Sequence, residues 1–129
     1  MKLRWSVAHL YDASPESIRR LKALRAGWLM QNAFYFRGEA FLGQRGLELA
    51  RVSPPIVSAL DLGMPVGGGT DAHRVMWFSP FVSLQWVVDG KTVGGTLTRG
   101  EDELLSREEA LRLYTVGSAW FTHDDERRG

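Results

Sequence analysis

The residues with chemical potential are few. The chain has no cysteine, so thiolate metal sites, disulfides and cysteine nucleophiles are excluded, and a metal site would have to use His, Asp or Glu. The three histidines are His9, His73 and His123. His9 ends the apolar run Leu3 to Leu10 after Trp5-Ser6-Val7-Ala8, and Asp71 ends the run Gly67-Gly68-Gly69-Thr70. Both therefore stand where a strand is expected to finish, the place where parallel α/β folds collect their chemistry. An imidazole nitrogen and a carboxylate oxygen suit zinc or a similar divalent cation. His73 lies two residues beyond Asp71 and is either a further ligand or a partner that orients a carboxylate or a substrate.

Each residue also has a plainer explanation. A lone histidine after a strand is more often a hydrogen-bonded structural residue, and an aspartate after glycines often closes an ordinary turn. His123 sits beside Asp124 and Asp125 and reads as solvated tail. The glycine run leaves little bulk near Asp71 and would let a ligand approach closely. It is not a phosphate cradle, since it lacks both the Gly-Lys-Ser/Thr ending and the GxGxxG spacing. There is no GxSxG elbow and no HExxH helix. Glu108 and Glu109 fall in the first turn of an expected helix, where they favour its dipole.

The surrounding pattern alternates strand and helix. Leu3 to Leu10 reads as a strand. Ser14-Pro15-Glu16 opens a helix, with Ser14 as cap and Pro15 at the first helical position. Ile18, Leu21 and Leu24 give it an apolar stripe, and it should stop near Gly27. Trp28 to Ala33 reads as the next strand. Phe34 to Val52, with its glycines and aromatics, reads as a long structured loop with room for a helical turn. Ile56 to Leu62 is expected to be helical, with Gly63 as its cap. Met64 to Gly69 is a brief strand, and Pro80 to Val88 is a helix. Ser106 and Glu109 form a capping box for a last helix running to Tyr114. The tail from His123 to Gly129 is polar. The fold class is α/β with a parallel sheet and right-handed crossovers. No repeat or linker divides residues 1–129, so no separate second domain is expected.

Bulk properties narrow the partners. In 129 residues, 44% are hydrophobic and 24% charged, enough for a real core. A formal net charge of +1 argues against a nucleic-acid binder. No apolar run approaches the ~18 residues needed to cross a membrane, and the amino terminus does not look like a secretory signal. The default compartment is the cytoplasm.

Several stretches together resemble the amidohydrolase superfamily, closest to the subgroup of N-substituted formamide deformylases and exoenzyme regulatory proteins. Trp5-Ser6-Val7-Ala8-His9 with Ser14-Pro15-Glu16-Ser17-Ile18 is similar to that family's sixth strand and helix. Gly63-Met64-Pro65-Val66 through Gly69-Thr70-Asp71-Ala72-His73-Arg74 resembles its eighth strand. Ser79-Pro80-Phe81-Val82 and Gly90-Lys91-Thr92-Val93-Gly94-Gly95 are similar to the segment that follows. Leu105 to Thr115 resembles its closing helix. The order of segments agrees along nearly the whole chain.

The resemblance implies a partial (β/α)8 TIM barrel, strands six to eight with their helices, taken from the carboxyl-terminal part of the barrel. It implies a divalent metal, zinc by donor type, in the whole enzyme. His9 would be the strand-six ligand. Asp71 would be the strand-eight aspartate, touching the metal and acting as general base. His73 and Arg74 would contact substrate or orient the groups that do. The substrate would be a small molecule with an amide-type C–N bond. The family's strand-one HxH pair is absent, none of Lys2, Lys22 and Lys91 fits its bridging position, and no second histidine matches its strand-five ligand. The expectation is thus a piece of a metal-dependent hydrolase, inactive by itself and prone to self-association through exposed barrel edges. The alternative is a non-catalytic α/β scaffold or interaction module derived from that fold. A small mononuclear metalloprotein using His9, Asp71 and His73 is a third reading.

Overall fold

The computed structural model describes residues 3–72 and 76–128. His73 and Arg74 lie outside the described residues. Three short strands form one parallel sheet: β1 (Ser6–Ala8), β2 (Gly27–Gln31) and β3 (Val66–Gly69), in the order β1-β2-β3. Ser6 pairs with Gly27, and Trp28 pairs with Val66. Helix α1 (Pro15–Ala23) connects β1 to β2. Helices α2 (Phe34–Arg45), α3 (Leu47–Arg51) and α4 (Ile56–Asp61) lie between β2 and β3. After β3 come α5 (Pro80–Asp89), one 3-10 turn (Glu101–Glu103), α6 (Arg107–Tyr114) and α7 (Val116–Phe121).

Local sequence explains several boundaries. The Ser14 side chain accepts a hydrogen bond from the Ser17 amide at the head of α1. The capping box of α6 is complete: Ser106 accepts from the Glu109 amide, and the Glu109 carboxylate accepts from the Ser106 amide. Those hydrogen bonds hold the Glu109 carboxyl below its usual range. Gly63 follows α4 at φ 71°, a conformation open to glycine at little cost.

Side chains alternate across β2. Trp28 and Met30 are buried in a core shared with Ile18 of α1, Ile56 of α4, Trp86 of α5 and Leu113 of α6. Leu29 and Gln31 therefore point to the opposite sheet face. At the amino end of that face a Cβ on Gly27 or Gly67 would lie 2.7 Å from the Phe121 ring. Helix α7 also follows the outer edge of β3. A Cβ on Gly117 would collide with the Val66 carbonyl oxygen, and the Ser118 hydroxyl donates to the Gly68 carbonyl at 2.8 Å. The chain then returns under β1. The Arg4 guanidinium lies 4.7 Å from the Trp120 ring and 2.7 Å from the Asp125 carboxylate.

Two expectations are corrected. Phe34 to Val52 is not a long loop, since it holds α2 and α3. Helix α2 has no side-chain cap, and Gly38 within it is buried where a Cβ would sit 3.0 Å from Thr92. Tertiary packing makes this helix, and glycine there serves close approach instead of a turn. The first strand covers Ser6–Ala8, shorter than the apolar run that announces it.

Candidate functional site

His9 follows directly on β1, and Asp71 comes two residues after β3. With β2 between them, the two strand ends are about 10 Å apart, two strand spacings. Both residues are exposed at the same, carboxyl end of a parallel sheet. Both also have left-handed backbone, His9 at φ 68° and Asp71 at φ 52°. Histidine and aspartate reach this region more readily than most residues, yet it costs a non-glycine on the order of 1–3 kcal/mol. Two such residues at strand ends on one side of a sheet form the kind of conformation that functional sites retain. Asp71 makes no ion pair and accepts no side-chain hydrogen bond among the described residues.

Tyr11 joins the two. Its hydroxyl lies 3.0 Å from His9 Nδ1. Burial raises its pKa, the Arg37 charge opposes this, and the Asp71 carboxylate adds to it. The phenol thus lies within electrostatic reach of Asp71 while touching His9. Its ring stacks on Phe34 at 5.0 Å, and Phe34 meets Phe41 at 4.5 Å. A cleft of 260 Å³ opens beside this column, lined by Tyr11, Phe34, Arg37, Phe41 and Gln44. A larger cavity of 470 Å³ lies at the other end of β3, between Met64, Val66, Leu113 and Trp120. It is remote from both candidate residues, and its charged lining is Asp61, Glu109, Arg112 and Asp125.

Tyr11 has no mark in the sequence except that it lies two residues beyond His9. Gln31 is a second omission. It ends β2 beside Gly69, on the face turned away from the core, with a buried Oε1 that has no hydrogen-bond partner among the described residues. The signal was a polar residue closing the apolar run Trp28-Leu29-Met30. The glycine run before Asp71 needs reinterpretation. Gly67 and Gly68 lie within β3, where Phe121 and Tyr114 respectively occupy the space a Cβ would need. They are small for packing. Gly69 alone has open space around its Cβ position, with nothing nearer than the Met30 carbonyl oxygen at 3.9 Å.

A metal would find one imidazole and one carboxylate here, donors whose chemistry fits a borderline divalent cation. No group of three or more His, Cys, Asp or Glu capable of holding a metal occurs among the described residues. The sequence profile of the amidohydrolase family matches residues 2–129. The chain belongs to the amidohydrolase family. Two solved structures share the fold. One is an uncharacterized metal-dependent hydrolase from Pyrococcus horikoshii OT3, 21% identical, with a TM-score of 0.78 over 96% of this chain and 25% of that one. The other is an uncharacterized metal-dependent hydrolase from Pyrococcus furiosus, 25% identical, with a TM-score of 0.73 over 93% of this chain and 24% of that one. This amidohydrolase chain thus spans about a quarter of the length of each. No curated protein matches it. No helix among the described residues is long and apolar enough to cross a membrane.

Proposed function

We propose that the chain forms the strand-six to strand-eight sector of a (β/α)8 hydrolase that cleaves an amide-type, non-peptide C–N bond. Residues 1–129 act as one unit of that barrel. The observation that carries this reading is the pairing of His9 and Asp71, both with left-handed backbone, at the carboxyl ends of β1 and β3. His9 would hold the metal through a ring nitrogen and Asp71 through a carboxylate oxygen. A divalent cation such as zinc would acidify water and polarise the scissile carbonyl. Asp71, which has no ion-pair partner among the described residues, would take a proton from the attacking water and return it to the leaving nitrogen. His73 and Arg74 follow Asp71 in sequence and would meet substrate or orient these groups. Trp77 and Phe78 stack at 5.7 Å and are exposed on the following segment, which suits an apolar substrate substituent. The subgroup resemblance favours N-substituted formamides.

Two protein donors hold a catalytic metal weakly, since such sites ordinarily use three. The chain alone is therefore expected to show no turnover of an N-substituted formamide with added zinc. Turnover that rises with zinc and disappears in Asp71→Ala would overturn this inactivity. The two-donor count also favours a second reading, an α/β scaffold that keeps the shape without catalysis. Zinc binding dependent on His9 separates the two.

The outer edge of β1 has no partner strand among the described residues, and Leu3 and Trp5 beside it are 75% and 70% exposed. An unpaired strand edge next to apolar surface invites pairing with another chain. The protein should self-associate, with sedimentation giving a mass that rises with concentration. A monodisperse monomer at high concentration would contradict this. The compartment is proposed as the cytoplasm, for which secretion of the native protein in its host would be the contrary result.

A further inference from the structure

We propose that Tyr11 is a positioning residue for His9: its hydroxyl accepts the Nδ1 proton of His9, which leaves Nε2 as the nitrogen presented to a divalent cation. This rests on the reading of His9 as a ligand. The ring of an exposed histidine at a strand end is free to rotate, and either ring nitrogen can carry the proton unless a fixed partner selects one. Here the selection is built. The Tyr11 hydroxyl lies 3.0 Å from Nδ1, and the two rings are 5.6 Å apart, tilted by 51°. The left-handed turn at His9, φ 68°, folds the chain so that side chains two residues apart meet on one side.

The phenol is itself held in place. Its ring stacks on Phe34 at 24° between planes, and Phe34 is 7% exposed and braced by Phe41 from the same helix α2. The rigid end of this aromatic column is the hydroxyl that meets His9. A histidine that binds metal through one nitrogen ordinarily donates its other N–H to a fixed acceptor, which sets tautomer and orientation. Tyr11 supplies such an acceptor from the same loop.

The test is Tyr11→Phe in the full chain, which keeps the stacked ring and removes only the hydroxyl. Long-range proton–nitrogen NMR reads the tautomer of His9, whose signals are identified by their loss in His9→Ala. In the native protein the Nδ1–H form should be enriched relative to Tyr11→Phe, and zinc affinity should fall about 10-fold or more in the variant. Identical tautomer populations in the native protein and a folded Tyr11→Phe would overturn the proposal. Zinc affinity unchanged in His9→Ala would instead remove the ligand reading beneath it, and with that the role toward the cation. The tautomer comparison distinguishes the two failures because it needs no metal.

Discussion

Glu103→Leu is expected to cost about 3–5 kcal/mol of stability, a large part of the roughly 5–15 kcal/mol typical of a domain. Glu103 is buried in the 3-10 turn. Its carboxylate accepts from the Val57 amide at 2.8 Å, the Ser58 amide at 3.3 Å and the Ser58 hydroxyl, and so caps the start of α4. It also faces Arg99, at 3.8 Å from Nη2. The Arg99 side chain is fully buried. It donates to the Pro54 carbonyl at 3.2 Å and lies 4.9 Å from the Trp86 ring. Burial pushes its guanidinium down to about 10, with Glu103 opposing, so it remains charged at neutral pH. Taking Glu103 away leaves that charge uncompensated and opens the first turn of α4. Urea unfolding at pH 7 measures the loss. Arg99→Met combined with Glu103→Leu should be less damaging than Glu103→Leu alone, since no buried charge then remains. A single-variant loss below about 0.5 kcal/mol would show the pair to be unimportant.

Trp28→Ala should be comparably severe, about 3–5 kcal/mol. Trp28 is 1% exposed, on the strand that pairs with both of its neighbours. Its indole fills the space between the sheet and the helices that share the core, and truncation opens a cavity that a sheet bonded on both sides cannot collapse into. Thermal unfolding followed by circular dichroism should show a midpoint many degrees lower. The same substitution at Trp5, 70% exposed, should leave it nearly unchanged. Equal effects at the two tryptophans would contradict this assignment of the core.

The features legible in the sequence are those decided locally. Ser14 with Pro15, Ser106 with Glu109, and Gly63 after α4 each act through the neighbouring turn, and each occupies the place its chemistry dictates. The alternation that placed His9 and Asp71 at strand ends was legible for the same reason. Helix α2 was hidden in part because Gly38 belongs to a tertiary contact: it admits Thr92 and Thr98, which lie more than fifty residues away. Helix α7 was hidden likewise. Gly117 and Ser118 look like loop residues until they are placed against the Val66 and Gly68 carbonyls of β3. The glycines before Asp71 were visible but their reason was not, because Tyr114 and Phe121, which demand Gly68 and Gly67, come from distant helices. The candidacy of His9 and Asp71 followed from residue type and strand-end position. Tyr11 did not, because its role depends on a stack with Phe34 that no spacing announces.

The most direct test of the metal-site reading is the zinc affinity of the purified chain, measured by calorimetry beside His9→Ala and Asp71→Ala. Weak binding by the native chain, lost in both folded variants, is the expected result, because the proposed site has two donors among the described residues and neither would suffice alone. Zinc binding that survives both substitutions would contradict it.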